Sequence, residues 1–280
     1  MDLIKEAALD YYQSSSQIKD EPDLLLQLRR LRFSRFGKKI FIQDRLPFKF
    51  EPNVILKEKY IKEAFEFSYN MTYGRMGAHR ITRSGGQMSR SLSDIFKDTF
   101  QGKLGEFAVY QFLTNYGIEC TAPDLEVLPL GYWDEYDLKA GSELISVKTT
   151  KGNGTLLLLE TDHYNKDGAY TAVPENETPV LYDYFCFVRI MMNRKIHEED
   201  IKYKSFQQFM SNQVFHIQIT GFLNHHTFAN CVIKESFVIP QGAYITENIK
   251  MDVENFYVQA ADLLGIEEFI ARMKSNSHYN

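Results

Sequence analysis

The stretch YDLKAGSELISVKTTKG, Tyr136 to Gly152, sets an aspartate and a lysine at the ends of two short alternating runs. Alternation at a period of two predicts two strands, with Ala140, Gly141 and Ser142 turning the chain between them. On the second strand Ser146, Lys148 and Thr150 share one side, and Ile145, Val147 and Thr149 the other. The apolar pair marks the core-facing side, and Asp137 on the first strand can lie beside the polar one. A carboxylate there can bind an oxygen-seeking divalent cation that keeps positions open for phosphate and water. The cation stabilises charge on phosphate and lowers the pKa of its water. The lysine can position or activate that water. Glu106, on a helical pattern upstream, offers a further carboxylate. Taken alone, the hairpin has a plainer account: Asp and Lys on adjacent strands often form an exposed ion pair worth little. Glu106, the arginine-rich segment described next and the strands downstream tip the balance toward chemistry.

Between Thr72 and Ser91 the chain carries Arg75, His79, Arg80, Arg83 and Arg90 and no acid, with glycines at 74, 77, 85 and 86. It has little apolar material to bury, so it is expected to be a long loop, and such loops inside compact domains are usually functional. Arginine with serine and glutamine nearby suits phosphate and base-edge contacts. A nucleic-acid-contacting loop is therefore expected, with Lys103 and Lys151 as further DNA contacts. A second basic run, RRLRFSRFGKKIFIQDRLPFKF, interleaves Arg29, Arg30, Arg32, Arg35, Lys38 and Lys39 with phenylalanines. It could be a stacking platform on nucleic acid. A helix end and a strand, with apolar side chains inward and cations solvated, is the expected form.

Several elements must position these residues. Residues 1 to about 30 read as helical, and EKYIKEAFEFSYNM as an amphipathic helix. FKDTFQGKLGEFAVYQFLTNYGIEC reads as a helix that Gly117 stops in a left-handed conformation. TLLLL, VLYDYFCFVRIMM and VFHIQITGFL read as strands, with a short helix near NHHTFANCV. VENFYVQAADLLGIEEFIARMK reads as mostly helical. This order predicts one α/β domain over 1–280 with a single central mixed sheet flanked by helices. Residues 1–100 are expected to form a helical and basic DNA-contacting region, 101–240 the core that carries Glu106, Asp137 and Lys148, and 241–280 a helical end.

Composition narrows the partners and the setting. The 280-residue chain is 44% hydrophobic and rich in phenylalanine (21) and tyrosine (17), enough for a large aromatic core. Its formal net charge of -5 means that attraction for nucleic acid must come from a local basic patch. Cys120, Cys186 and Cys231 lie far apart, as reduced buried thiols would, and form no C-x-x-C pair. No signal-peptide pattern and no membrane-spanning run is evident, so a cytoplasmic protein without a membrane partner is expected. No phosphate-binding G-x-x-x-x-G-K-[ST] loop and no G-x-S-x-G elbow occurs. The adjacent His225 and His226 cannot share a face.

Glu106 in GKLGEFAVYQFL, Asp137 in WDEYDL and Lys148 in ISVKTT resemble the signature of the PD-(D/E)xK nuclease superfamily. The order helix with Glu, strand with Asp, strand with Lys also resembles it. YDYFCFVRI, HIQITGFLNHHTF and MDVENFYVQAADL look most like type II restriction endonucleases, so the likeness covers roughly 101–264. The resemblance implies a restriction-endonuclease-like core, Mg²⁺ dependence and hydrolysis of DNA phosphodiester bonds. It further implies Asp137 as metal ligand, Lys148 at the attacking water, Glu106 assisting either, and the Val147 carbonyl as a backbone ligand. Ser146 stands where that family usually has Asp or Glu. Some enzymes of the fold carry Ser here and recruit a remote carboxylate, for which Glu160, Asp162 and Glu106 are candidates. Cutting both strands of a palindrome needs two sites about a twofold axis, so double-stranded DNA and a homodimer are expected. A cognate DNA methyltransferase belongs to such a system. Nucleases of the same fold acting on branched DNA or RNA, and a non-cutting DNA-binding module, are the alternatives.

Overall fold

The computed structural model describes residues 27–43, 45–74, 91–126, 136–174, 177–202, 205–211, 213–247 and 249–277. The chain is mixed α/β, as expected, but among the described residues the strands form three sheets where one was expected.

The first element among the described residues is a hairpin of β1 (Arg32–Phe36) and β2 (Lys39–Gln43). It replaces the helix end and strand expected of the basic run, because Gly37 at φ 58° turns the chain after only five residues. Helices α1 (Glu58–Thr72) and α2 (Leu92–Asn115) follow. Ser91 caps α2: its side chain accepts the Asp94 N–H while the Asp94 carboxylate accepts the Ser91 N–H. The helix ends where Gly117 takes φ 76°, and the Ile118 N–H returns to the Leu113 carbonyl.

The central sheet has the order β3-β4-β6-β7. β3 (Leu138–Ala140) and β4 (Glu143–Lys151) are antiparallel, β4 and β6 (Tyr184–Met192) parallel, and β6 and β7 (Phe215–Asn224) antiparallel. β6 is buried on both sides over most of its length, which explains its near-continuous apolar run. Its Tyr184, Cys186, Val188 and Ile190 join Ile145 and Val147 in one core, under Leu104, Phe107 and Ala108 of α2. Helix and strand lie close together at Gly105, where a Cβ would stand 2.3 Å from the Thr149 Oγ1.

The opposite face of the sheet covers a second core. Phe185, Phe187 and Leu223 pack there against β5 (Leu156–Glu160), Tyr164 and Phe228. β5 belongs to a three-stranded sheet, β5-β11-β8, with β8 at Val238–Ile239 and β11 at Asn255–Gln259. β11 corrects the expectation of a helical end over 241–280, since only α3 (Ile266–Ser277) is helical at length there. NFYVQ is buried throughout because strands flank it on both edges, and periodicity cannot separate such a strand from a buried helix. The core therefore also runs past residue 240.

A third sheet, β1-β2-β9-β10, adds β9 (Tyr244–Thr246) and β10 (Ile249–Lys250) to the hairpin. Most of the stretch expected to be helical over 1 to about 30, and the segment with Arg75, His79, Arg80, Arg83 and Arg90 expected to be a loop, lie outside the described residues, and residues 27–30 are not helical. Among the described residues no helix is long and apolar enough to cross a membrane.

Candidate active site

β3 is only three residues long, and its last ladder pair is Leu138 with Ile145. One rung further, where the strands would continue, the Asp137 side chain takes over. Its Oδ2 accepts the Val147 N–H at 2.6 Å and the Ser146 hydroxyl at 3.1 Å. A carboxylate is thereby fixed against the middle of β4 by a backbone donor that cannot move. By the antiparallel register Asp137 shares a face with Ser146, and Lys148 is its diagonal neighbour on that face. The sequence parity holds: Ile145 and Val147 face the α2 core, and Ser146 and Lys148 the other side.

That other side is not a solvent surface at Ser146, which is 1% exposed. In the parallel ladder Ser146 neighbours Phe185 and Lys148 neighbours Phe187, both in the second core. Lys148 itself is half-buried, at the margin where that core meets water.

The segment after β5 supplies acids to the same side. Ligand atoms of Glu160, Asp162 and His163 lie within 4.8 Å of one another, with His163 Nε2 3.4 Å from Glu160 Oε2 and 3.9 Å from Asp162 Oδ1. Tyr164 links this group to the hairpin. Its ring stands edge-on to Phe185, the register neighbour of Ser146. Its hydroxyl is held well above the usual tyrosine range, by burial first, then by Tyr182 and Tyr170, and then by Asp137 and Glu160. Both carboxylates thus act electrostatically on one phenol. Glu160 and Asp162 were candidates from the sequence, whereas His163 and Tyr164 were overlooked. The compact ETDHY run was the signal for them.

Glu106 occupies different surroundings. It is 9% exposed, and its Oε2 accepts from the Lys103 ammonium at 2.7 Å. Lys103 is itself 8% exposed and lies over the Phe67 ring. Lys103, expected as a DNA contact, is therefore a buried ion-pair partner, since an i,i+3 spacing on α2 brings it onto Glu106. α2 packs on the Ile145–Val147 face, opposite Ser146 and Lys148. Lys151 stands exposed at the end of β4.

As a donor set, Glu160 and Asp162 offer oxygen and His163 a nitrogen, and Asp137, held on the Val147 amide, stands outside that group of three. Oxygen-dominated donors fit a hard divalent cation such as Mg²⁺, and one imidazole also admits Mn²⁺. The thiols offer no rival nucleophile: burial pushes Cys120 up to about 12, Cys231 to about 11 and Cys186 well above its ordinary value. His225 bonds the Asp167 carbonyl at 2.9 Å, and His226 contacts Asn230. No protein-family model, no curated protein and no solved structure matches this chain.

Proposed function

We propose that the chain is a Mg²⁺-dependent endonuclease that hydrolyses DNA phosphodiester bonds, in the manner of a sequence-specific type II restriction enzyme. The observation that carries this reading is the seat of Asp137. A carboxylate locked onto the Val147 amide, with Lys148 diagonal to it on the same face, would supply a metal ligand beside a water-positioning ammonium. The helix of Glu106, the Asp137 strand and the Lys148 strand follow one another around one mixed sheet, which supports a restriction-endonuclease-like core.

The cation, when bound, would supply Lewis acidity and a more acidic water. Asp137 and the Val147 carbonyl would hold it, with Glu160 as the acid replacing the one missing at Ser146 and Asp162 beside it. Lys148 orients the attacking water and offsets charge on the scissile phosphate. Double-stranded DNA as substrate, a homodimer that brings two such sites to the two strands, and a cognate methyltransferase belong to the same proposal.

A second reading rests on one observation. Ser146 supplies no carboxylate, and the Asp137 Oδ2 already serves as the closing contact of β3. A fold that kept this aspartate for structure would bind DNA without cutting it.

One experiment separates them: incubating the full chain with supercoiled plasmid, methylated and unmethylated, in Mg²⁺, Mn²⁺, Ca²⁺ or EDTA, beside branched DNA and RNA. Nicking or linearisation in Mg²⁺ that Lys148→Ala abolishes is expected. Binding without cleavage at any Mg²⁺ or Mn²⁺ concentration favours the second reading. Cleavage by Lys148→Ala at the wild-type rate overturns the site.

A further inference from the structure

The β1–β2 hairpin has two unlike faces. Ile40 and Ile42 of β2 and Ile245 of β9 pack toward the second core. Alternation therefore turns Lys39, Phe41 and Gln43 outward, and their register partners Phe36, Ser34 and Arg32 with them. β9 continues this outer face, since Tyr244 pairs with Phe41 and stacks on it at 5.0 Å. The Lys39 ammonium lies 5.3 Å from the centroid of the Tyr244 ring. Phe36, at the end of β1 where the turn begins, is 82% exposed.

An aromatic row on an outward sheet face, ringed by cations, is an unusual thing for a chain of net charge -5 to display. From Arg32 to Gln43 there are four cations, Arg32, Arg35, Lys38 and Lys39, and no acid. All four are exposed. Four exposed cations within twelve residues make this hairpin locally basic, and the sign matches phosphate. Arg29 and Arg30, next in sequence, are different. Arg29 is bonded to the Asp262 carboxylate at 2.6 Å, and Arg30 lies over Phe237 beside Glu235. These two anchor the approach to the hairpin and leave its tip outside the packed core.

We propose that the outer face of β1, β2 and β9 is a stacking platform for single-stranded nucleic acid. Unpaired bases lie on Phe36 and beside the Phe41–Tyr244 pair, while Arg32, Lys38 and Lys39 follow the phosphates. Bases in a duplex bury their faces in the stack, so exposed rings on a sheet suit unpaired bases better. The proposal rests on the nucleic-acid reading above but not on cleavage. It adds to the duplex held at the candidate active site a separate contact for a single-stranded segment, such as a strand end or a locally opened stretch.

The test is fluorescence-anisotropy titration of the full chain with a labelled oligo(dT) of roughly a dozen nucleotides, a length suited to one such platform. The matching duplex runs alongside, both in EDTA. Phe36→Ala is expected to weaken single-strand binding by about fivefold or more, with a smaller effect on duplex. Phe36→Trp should keep affinity, and its added emission, measured against the protein's own Trp133, should be quenched by oligo(dT). Lys38→Ala and Lys39→Ala should each lower the slope of log affinity against log salt by about 0.7. No binding to oligo(dT), unchanged affinity in Phe36→Ala, or equal losses on single strand and duplex would each overturn the platform. Plasmid cutting that survives Phe36→Ala with unchanged oligo(dT) affinity sinks the platform and leaves the nuclease reading. Single-strand binding through Phe36 by a chain that never cuts sinks the nuclease reading and leaves the platform.

Discussion

Asp137 accepts the backbone N–H of Val147 at 2.6 Å and so continues, with a side chain, the ladder that β3 abandons at Leu138. One carboxylate thereby both terminates a strand and stands beside Lys148. These roles are separable by substitution. Asp137→Asn keeps an oxygen to accept the Val147 N–H but removes the charge a cation needs. It should unfold in urea within about 1 kcal/mol of wild type and cut DNA on the order of a hundredfold more slowly. Asp137→Ala loses both contacts and leaves a buried amide, so it should also lose about 1–3 kcal/mol of stability. If Asp137→Asn cuts normally, Asp137 is a strand cap only.

The acids after β5 should show themselves through metal binding before activity. Glu160→Gln and Asp162→Asn are each expected to weaken Mn²⁺ affinity, read by calorimetry on the uncut protein, with the larger loss at Glu160. Glu160 faces His163 and acts on Tyr164 together with Asp137. Equal Mn²⁺ affinity in wild type and both variants would remove these acids from the site. Ser146→Glu is not a simple restoration: the position is closed to water beside Asp137, so two carboxylates would meet there. It should lower the melting temperature, whereas Ser146→Ala, which deletes one hydrogen bond, should cost about 1 kcal/mol.

Arg189 ties the end of the Lys148 strand to the rest of the chain. Its guanidinium donates to the Gly152 carbonyl, the Phe48 and Lys49 carbonyls and Gln218, and lies 5.6 Å and 5.3 Å from the ring centroids of Phe48 and Phe50. Arg189→Met should destabilise by about 3 kcal/mol or more, because several buried acceptors lose their donor together. Arg189→Lys should recover little, since one ammonium cannot span that fork. Urea unfolding of the three proteins decides it, and a neutral Arg189→Met would refute the tie.

His225 makes stability depend on pH in a definite direction. Its pKa lies below 6.5, because burial disfavours the charged ring more than Asp183 and Asp167 favour it. The unfolded chain therefore binds the proton more readily than the folded one. The contribution is full above the unfolded value of about 6.5 and is lost as pH falls through it. His225→Gln should flatten the fall in melting temperature between about pH 7 and pH 5 relative to wild type. Parallel curves for the two proteins would show that His225 contributes nothing to it.

Much of the fold was legible locally. α1, α2 with its stop at Gly117, β4 and β7 follow from spacing and turn chemistry that act within a few residues. So does the parity that sends Ser146 and Lys148 to one side of β4 and Val147 to the other. What lay beyond the sequence was whatever depends on a distant partner. NFYVQ became a strand because β5 and β8 flank it. Lys103 left the surface because Phe67, from another helix, lies against it and the face it shares with Glu106 is buried. The polar side of β4 became half core because β5 and Tyr164 close over it. Residue types and their spacing thus determined which side chains could share a strand face. Only the tertiary structure decided which faces met water, since burial and charge pairing are settled by segments far apart in the chain.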